Sequence, residues 1–310
     1  MEHTPLREPL FMIWQADKCA MLGAYQVAQA EVDLGYAREN NIQIVRRQSG
    51  GGTIFTDLGT LLYTLILPEL GGKSPDEIVR ETFAAPLVRA LNRLGIPAHM
   101  EGRNDLLAGG KKFAGLAQYV RQGRVCSHGS LLYDTDLDML TRVLQVSADK
   151  VQSKGIRSVR SRVTNLRAYL ESPVSLQKFW LMLEQALAEE WVLEPYSLSA
   201  FECEAIDAIY QNKYNNPDWT FGRSPKFSYH AAKRFPAGKV EFFLDIVQGK
   251  IAACSIRGDF LGTVPTRGLE QLLEHCEFRY ESVREVLSGV ELAPYLGEIT
   301  AGQVLACLFE

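Results

Sequence analysis

The segment NDLLAGGKKFAGLAQYVRQGRVCSHGSLLYD, residues 104–134, contains three apolar runs separated by two short breaks. The breaks fall at Gly109-Gly110 and at Gln122-Gly123, where glycine allows the backbone to turn tightly. Apolar runs of this length, with turn residues between them, are typical of neighbouring antiparallel strands. The segment therefore predicts a β-meander, and the polar residues within it are expected to share one sheet.

Further strands and helices are indicated on both sides of this meander. Strands are predicted over 42–47, 53–55 and 61–67, and helices over 24–39, 74–94, 136–144, 175–191 and 199–213. Ser74 with Glu77, and Ser199 with Glu202, have the spacing of a capping box at a helix N-terminus. Pro86 predicts a kink in the second of these helices. This mixture of elements indicates an α+β fold.

The last third of the chain has a pattern of its own. Residues 221–238 contain two prolines, two glycines and little periodicity, which predicts a linker. After it, KVEFFLDI (239–246) and KIAACSIRG (250–258) predict a hairpin. We therefore expect two domains, 1–225 and 226–310, of which the second is a small α+β domain.

Composition argues against several classes of protein. The 310 residues are 46% hydrophobic and 23% charged, with a formal net charge of -4, so no overall positive field points to nucleic acid. No run of about 18 apolar residues is present, and the N-terminal stretch does not resemble a secretory signal. The six cysteines are scattered, as expected for reduced thiols. We expect a monomeric cytoplasmic protein without a membrane or nucleic-acid partner.

Three consecutive glycines lie in the stretch RRQSGGGTIF, residues 46–55. Their bare backbone N–H groups can approach a ligand closely. Arg46 or Arg47 beside them offers a fork of donors that matches a carboxylate or a phosphate. One interpretation is therefore an anion-binding loop. The alternative is a tight turn between two strands with solvated arginines, and the glycines alone favour that alternative.

Other polar residues are candidates for the same chemistry. Asn104 and Asp105 lead into a hairpin that returns with Lys111 and Lys112, so an acid and a lysine can meet at one site, although a surface hairpin with exposed lysines is the commoner arrangement. His128 is either a general base or, more commonly for such a residue, a hydrogen-bonded core histidine. Four cations in one later segment either neutralise a polyphosphate or form a solvated helical face. These cations are Lys154, Arg157, Arg160 and Arg162.

Taken together, these motifs resemble those of the lipoate–protein ligase A family. The resemblance rests on RRQSGGG (46–52), TDLG (56–59), GRND (102–105), KKFAGLA (111–117), CSHGSLL (126–132) and KGIRSVRSRVTN (154–165), followed by PDWTFGRSPKFS and KRFPAGKVEFFLDI. It extends over nearly the whole chain. It implies an α+β catalytic domain built on a mixed β-sheet of the biotin/lipoate ligase type and packed by helices, plus a small C-terminal accessory domain.

The resemblance also implies a two-step ligase reaction. Lipoate and ATP, with Mg²⁺, give lipoyl-AMP and pyrophosphate, and the lipoyl group then passes to a lysine of an acceptor domain. The partners that the resemblance implies are lipoyl-accepting domains of 2-oxoacid dehydrogenase E2 subunits or a glycine cleavage H-like protein.

Site residues are implied by the matched motifs. Lys112 is the expected catalytic residue, bridging the carboxylate and the α-phosphate, and Asp105 is expected to contact Mg²⁺. The loop over 153–162 is expected to fold over the adenylate. The implied lipoate-binding residues are Arg47, Ser49, Gly50, Gly51, Gly52 and His128. The implied nucleotide-binding residues are Gly52, Thr53, Ile54, Phe55, Asn104, Asp105, Lys112, Ala117, Lys154, Arg157 and Arg160.

Five positions depart from the family pattern and leave alternatives open. They are Val27, Thr60, Ala114, Leu116 and Ser127. Because we expect them to cluster at the site, they suggest a divergent paralogue for another acyl chain or a specialised acceptor. A second interpretation is a transferase that works without ATP through Cys126, since strand alternation puts Cys126 and His128 on one face. A third is a binding protein that has lost turnover.

Overall fold

The computed structural model describes residues 7–26, 28–68, 72–144, 162–221, 228–247 and 249–309. Its strands are β1 Leu10–Trp14, β2 Cys19–Leu22, β3 Gln43–Arg46, β4 Ile54–Thr56, β5 Thr60–Leu67, β6 Ala98–Glu101, β7 Asp105–Ala108, β8 Lys111–Arg121, β9 Arg124–Leu132, β10 Tyr229–Phe235, β11 Gly238–Val247 and β12 Lys250–Gly258. Its helices are α1 Ala28–Glu31, α2 Leu34–Glu39, α3 Pro75–Glu77, α4 Ala85–Arg93, α5 Leu137–Val143, α6 Leu176–Ala188, α7 Ala200–Ile209, α8 Pro217–Phe221, α9 Arg267–Leu273, α10 Tyr280–Ser288, α11 Ala293–Leu296 and α12 Ala301–Phe309. Over these ranges, no helix is both long enough and apolar enough to cross a bilayer.

The central element is a six-stranded antiparallel sheet in the order β1-β5-β9-β8-β7-β6. The predicted meander is confirmed, because β7, β8 and β9 follow one another and turn at 109–110 and at 122–123. The buried strand predicted at 61–67 is confirmed as β5, whose residues Thr60–Leu65 are all buried. It lies between β1 and β9 and so occupies the interior of the sheet.

Helices cover one face of this sheet and form the main core with it. The capping box of Ser74 and Glu77 is confirmed, and a continuous helix runs from α3 through a π-helical stretch, Ile78–Ala84, into α4. The helix therefore changes its hydrogen-bonding pattern just before Pro86 and continues beyond it. Tyr63 of β5 stacks on Phe83 with ring centroids 4.8 Å apart, which fastens the π-helical stretch to the sheet.

A small mixed sheet in the order β3-β2-β4 lies near the opposite face, with β2 and β3 parallel and β2 and β4 antiparallel. The single helix predicted over 24–39 is wrong, because two short helices, α1 and α2, are separated at Val32 and Asp33. The Asp33 side chain accepts a hydrogen bond from Tyr36 N at 2.9 Å and thereby caps α2. Asp33 thus begins a new helix instead of continuing the first.

The C-terminal part has its own three-stranded sheet, β10-β11-β12, and its own buried core with α9–α12. The predicted hairpin of β11 and β12 is confirmed. The linker predicted over 221–238 is wrong for residues 229–235, which form β10 and pair with β11 from Tyr229–Leu244 to Phe235–Gly238. The prediction failed because β10 lacks a strong apolar alternation. The boundary predicted at 225/226 falls in residues 222–227, outside the described residues, and it stays a prediction. The α+β class is confirmed by this combination of sheets and helices.

Candidate active site

The face of the six-stranded sheet that is not covered by the main helical layer carries the candidate site. On β8 and β9, Ala117 lies opposite His128 and Gly115 lies opposite Ser130, so these four residues share one face. The glycine-rich loop between β3 and β4 reaches this face through Ser49, whose Oγ lies 2.7 Å from His128 Nε2. The loop and the meander are therefore parts of one site.

Arg47 holds the glycine-rich loop in shape. Its guanidinium donates from Nε to Ser49 Oγ at 3.1 Å, and from Nη2 to the carbonyls of Gly50 and Gly52 at 2.8 Å each. Nη1 donates to Met21 O at 2.9 Å, which ties the loop to β2. Burial and then the charge of Arg46 lower the pKa of Arg47 to about 10, so the group stays cationic at neutral pH.

Arg46, although adjacent, has a structural role. It is 7% exposed, and its guanidinium donates only to backbone carbonyls in the described contacts. These belong to Gly23, Ala24, Gln26, Trp219 and Thr220. In return Trp219 Nε1 donates to Arg46 O at 2.9 Å. Arg46 thus fastens α8 and the 23–26 turn to β3, and Arg47 is the arginine that faces the loop.

His128 is a neutral group in this site. Burial, reinforced by the positive charge of Arg47, lowers the pKa of His128 to about 3. Because Arg47 already donates to Ser49 Oγ, the arrangement favours a Ser49 hydroxyl that donates to His128 Nε2. The chain Arg47–Ser49–His128 then fixes the loop against the sheet. With so low a pKa the imidazole is neutral and only weakly basic at neutral pH, which suits a group that positions Ser49 better than it suits a general base.

Lys112 reaches the same face through a β-bulge. Asp105 lies opposite Gly115 whereas Leu107 lies opposite Lys112, so a step of two residues in β7 corresponds to three in β8. The extra residue shifts the alternation of β8 and places Lys112 with Asp105, where Nζ donates to Oδ1 at 2.6 Å. Gly115 leaves space for the lysine, since a Cβ there would lie 3.2 Å from Nζ.

The remaining nucleotide-binding candidates surround this pair in different ways. Asn104 uses its side chain to donate to Leu116 O at 2.9 Å, which ties the start of β7 to β8. Thr53 Oγ1 donates to Gln26 Oε1 at 2.8 Å. Phe55 is 1% exposed and packs in the core, so only its backbone is available on β4, whereas Ile54 is half-buried.

Three predicted cations, Lys154, Arg157 and Arg160, lie outside the described residues, and their roles stay predictions. The chain that follows them is anchored beside the lysine. Val163 forms a parallel bridge with Lys112, and Thr164 N donates to Lys112 O at 2.9 Å. The basic segment therefore ends next to the candidate catalytic residue.

Gln26 and Tyr25 were missed as site residues by the sequence reasoning. Gln26 is 3% exposed, and its Oε1 accepts from Gly23 N and from Thr53 Oγ1 at 2.8 Å each. Tyr25 faces the C-terminal part of the chain, as described below. In the sequence, Gln26 could have been found through its match to a glutamine of the family pattern. No such match marks Tyr25.

Four of the five positions that depart from the family pattern lie in the described residues, and these four do not cluster at the site, which corrects the prediction for them. Ala114 and Leu116 lie in the main core under the helices, and Ser127 is 1% exposed and donates to Gln118 Oε1 at 3.3 Å. Thr60 is buried and bonds to Thr135 in a turn. The bulge that brings Lys112 to the site explains the error, because Ala114 and Leu116 alternate with Gly115. Val27 lies outside the described residues.

Cys126 is an unreactive thiol in this arrangement. It is 6% exposed, lies opposite Tyr119 and Ile66, and burial raises its pKa to about 11. A nucleophilic cysteine needs the opposite shift, because the thiolate is the attacking species. The geometry therefore does not favour the transferase interpretation.

Comparison with known proteins identifies the family. A family model described as the lipoyl protein ligase A/B catalytic domain matches residues 1–188. The chain belongs to the lipoate–protein ligase family. A second model, for the C-terminus of bacterial lipoate protein ligases, matches residues 224–308. The family resemblance drawn from the motifs is thereby confirmed.

Members of the family match over most of their length. Lipoate–protein ligase LplJ of Bacillus subtilis is 33% identical over 312 residues, which cover 100% of this chain and 93% of the relative. A solved structure of a bi-partite lipoate protein ligase and its E2 lipoyl domain from Thermoplasma acidophilum covers 72% of this chain and 87% of its own, with 28% identity and a TM-score of 0.62. A lipoate–protein ligase A bound with ATP covers 69% and 86%, with 27% identity and a TM-score of 0.61.

Proposed function

We propose that this family member is an ATP-dependent lipoate–protein ligase. It activates lipoate as lipoyl-AMP, releases pyrophosphate and transfers the lipoyl group to a lysine of an acceptor domain. The observation that carries the proposal is the position of Lys112 on the sheet face that also receives the Arg47–Ser49–His128 chain. A cation beside a prebuilt loop suits the activation of a carboxylate by a triphosphate.

The glycine-rich loop is the proposed subsite for lipoate. Arg47 draws the carbonyls of Gly50 and Gly52 towards itself, so the loop keeps its shape before any ligand binds. Gly51 adopts a φ of +87°, which L side chains rarely tolerate. Gly52 has open space where a side chain would lie, so a thin apolar chain can lie against its bare backbone, and binding needs little reordering of the protein.

Lys112 is proposed to stabilise the charge that develops during adenylation. In the transition state the carboxylate oxygen attacks the α-phosphate, and an ammonium group between them offsets negative charge on both. Asp105 holds Lys112 Nζ at 2.6 Å before the substrates arrive. The lysine and aspartate side chains are 38% and 35% exposed, so the ion pair can open when phosphate oxygens compete for Nζ.

Asp105 is also the proposed contact for Mg²⁺. The carboxylate is exposed enough to reach a metal, and Mg²⁺ in phosphate-transfer sites is commonly held by one or two carboxylates plus substrate phosphates and water. Within the described ranges, no group of three or more His, Cys, Asp or Glu side chains is arranged to hold a metal ion. When bound, Mg²⁺ would supply charge neutralisation on the triphosphate. Asp105 fits this donor set, because one protein carboxylate is enough when substrate phosphates and water supply the other ligands of Mg²⁺.

The proposed acceptors are lipoyl domains, of 2-oxoacid dehydrogenase E2 subunits or of a glycine cleavage H-like protein. Support comes from the archaeal relative, whose structural study includes its E2 lipoyl domain. The acceptor lysine attacks the acyl carbon of lipoyl-AMP, an amide bond forms and AMP leaves. We propose that the ligase acts as a monomer in the cytoplasm, in keeping with six free cysteines.

The test is an assay of both half-reactions. The purified chain is incubated with lipoate, ATP and Mg²⁺, pyrophosphate release is followed, and a purified lipoyl domain is then added and its mass measured. We expect pyrophosphate without acceptor and a lipoyl mass on the acceptor that requires ATP. An acceptor whose target lysine is replaced by arginine is the matched control. Absence of both pyrophosphate and acylated acceptor would overturn the proposal, and parallel reactions with octanoate measure the preference for the acyl chain.

A further inference from the structure

A loop of the C-terminal part, residues 259–264, lies directly on the glycine-rich loop. Gly51 N donates to Phe260 O at 3.1 Å. A Cβ on Gly50 would lie 2.5 Å from the same carbonyl oxygen, and a Cβ on Gly51 would lie 3.0 Å from Leu261 Cδ2. A side chain on Gly50 would therefore displace the backbone of the other loop, and one on Gly51 would press against the Leu261 side chain.

Tyr25 joins the same two loops from the side. Its ring stacks on Phe260 with centroids 5.0 Å apart and an interplanar angle of 17°. Its hydroxyl donates to Val264 O at 3.0 Å, and its carbonyl accepts from Gly258 N at 3.0 Å. Tyr25 therefore contacts the 259–264 loop near both of its ends.

The turn that carries Tyr25 is itself fastened to the glycine-rich loop. Ala24 N donates to Ser49 O at 2.9 Å, and Gln26 Oε1 accepts from Thr53 Oγ1 at 2.8 Å. A Cβ on Gly23 would overlap the carbonyl oxygen of Gly51. The 23–26 turn thus contacts both ends and the middle of the glycine-rich loop.

The 259–264 loop is held rigidly by its own domain and by the central sheet. Thr263 N and Val264 N donate to Pro294 O at 2.7 and 3.0 Å. On the other side, Val120 N of β8 donates to Thr263 O at 2.8 Å. A rigid element that contacts two sides of the site can order a flexible loop between them.

We infer that the 259–264 loop is a positioning element for the acyl-acid subsite, acting through Tyr25 and Leu261. The loop fixes the peptide of Gly51. The carbonyls of Gly50 and Gly52 then keep their hydrogen bonds to Arg47, and Ser49 keeps its hydrogen bond to His128. Without this support, three consecutive glycines sample many conformations, and binding of the acid must order them. The inference rests on the proposed function, and it adds that residues of the C-terminal domain set the affinity for the acid and not for ATP.

The test compares two substitutions that loosen this contact with two controls. Tyr25→Leu removes the ring stack and the hydroxyl, and Leu261→Ala removes the side chain over Gly51. Tyr25→Phe keeps the stack and loses only the bond to Val264. Leu272→Ala changes a side chain that is 49% exposed on α9 and controls for general effects on the C-terminal domain.

We expect Tyr25→Leu and Leu261→Ala to raise the KM for lipoate in the pyrophosphate assay about tenfold, which corresponds to about 1.4 kcal/mol, with an unchanged KM for ATP. Tyr25→Phe should give a smaller rise in the same parameter, and Leu272→Ala none. Hydrogen exchange measured by mass spectrometry should become faster in the peptide that contains Gly51, while β11 and β12 keep their protection.

Several outcomes would overturn the inference. A KM for lipoate within twofold of the wild-type value in both loosened variants, with unchanged exchange at Gly51, would do so. An equal rise in the KM for lipoate and the KM for ATP would also count against the inference, because a positioning role in the acid subsite affects lipoate alone. If Tyr25→Leu fails to fold, Tyr25→Phe and Leu261→Ala still decide the question. A wild-type chain that releases no pyrophosphate would instead refute the proposed function.

Discussion

The two halves of the candidate site differ in how complete they are. In the glycine-rich half, Arg47, Ser49 and His128 form an unbroken series of hydrogen bonds, and the loop also contacts the 23–26 turn and the 259–264 loop. In the other half, Lys112 has one described ion pair, with Asp105, and both side chains are more than one-third exposed. An exposed pair contributes only about 0–1 kcal/mol, so it separates readily.

This difference assigns different physical tasks to the two halves. In the proposed function, the glycine-rich half is built in advance and would recognise the apolar acyl chain, which offers few hydrogen bonds of its own. In the same proposal, the lysine half would keep its charges available for phosphate and carboxylate oxygens that arrive with the substrates. Substitutions in the lysine half should therefore affect the rate of chemistry, and those in the loop half should affect binding of the acid.

The largest effect is expected from Lys112→Ala. Loss of a cation that faces developing negative charge reduces a rate by about 10²–10³-fold, and the KM for lipoate should change little. The measurement is steady-state pyrophosphate release at saturating ATP. Lys111→Ala is the matched control, because Lys111 is the exposed neighbour at the start of β8, and it should retain the wild-type rate. Near-normal pyrophosphate release by the Lys112 variant would contradict the assignment of chemistry to the lysine half.

A smaller effect, in the other half, is expected from Arg47→Lys. A lysine ammonium cannot reach Ser49, Gly50 and Gly52 with the geometry of a guanidinium, and loss of one charge-assisted hydrogen bond costs about 1.5 kcal/mol. The KM for lipoate should rise about tenfold, while the maximal rate stays within a few-fold. Isothermal titration with lipoate checks the same change directly.

Arg46→Lys provides the contrast at the next position. Because Arg46 is buried among backbone carbonyls of the 23–26 turn and α8, its replacement should lower the free energy of unfolding by about 2–3 kcal/mol. Urea denaturation of the two variants separates the roles. Equal destabilisation together with equal changes in the KM for lipoate would show that both arginines only support the fold.

The pH dependence of stability should report the burial of His128. The native imidazole has a pKa of about 3 against an ordinary value of 6.5, so the unfolded chain binds one proton more between these values. The free energy of unfolding therefore falls as the pH drops below about 6.5, with a slope from this group of up to about 1.4 kcal/mol per pH unit. Above that pH the contribution of His128 is constant.

Comparison with His128→Gln isolates this contribution, since glutamine can still bond to Ser49 without titrating. Urea midpoints at about pH 5, 6 and 7 should change less steeply in the variant than in the wild-type chain. Parallel curves for the two proteins would mean that His128 takes up its proton over the same pH range in the native and unfolded states, and the loop half would then carry a second positive charge below about pH 6.5.

Local signals in the sequence predicted much of the fold. The two turns of the meander and the capping boxes at Ser74 and Ser199 depend on residues within four positions of one another, and all are found in the structure. The strand β10 was missed, because its pairing with β11 stabilises a sequence with only a weak strand pattern of its own.

The candidate site was predictable where a motif specified residues and unpredictable where geometry had to be known. Asp105 and Lys112 meet as expected, but the bulge in β8 that makes them meet leaves no signal in the sequence. That bulge also turns Ala114 and Leu116 into the core, against the prediction that they face the site. The contact between Gly51 and Phe260 joins positions more than 200 residues apart, and local patterns carry no information about it.

The smallest effect is expected from Cys126→Ser, which asks whether the loop half takes part in covalent chemistry. Cys126 lies two residues from His128 on β9, and a transferase would need its thiolate to accept an acyl group from a thioester donor. Burial raises the pKa of this thiol to about 11, and the neutral histidine nearby has a pKa too low to take its proton at pH 7.

We therefore expect transfer from lipoate and ATP at the wild-type rate in Cys126→Ser. Without ATP, octanoyl–acyl carrier protein should yield neither acylated acceptor nor an acyl mass on Cys126. Detection of both species, and their loss in Cys126→Ser, would make the loop half a catalytic centre in its own right and replace the ligase mechanism with a transferase.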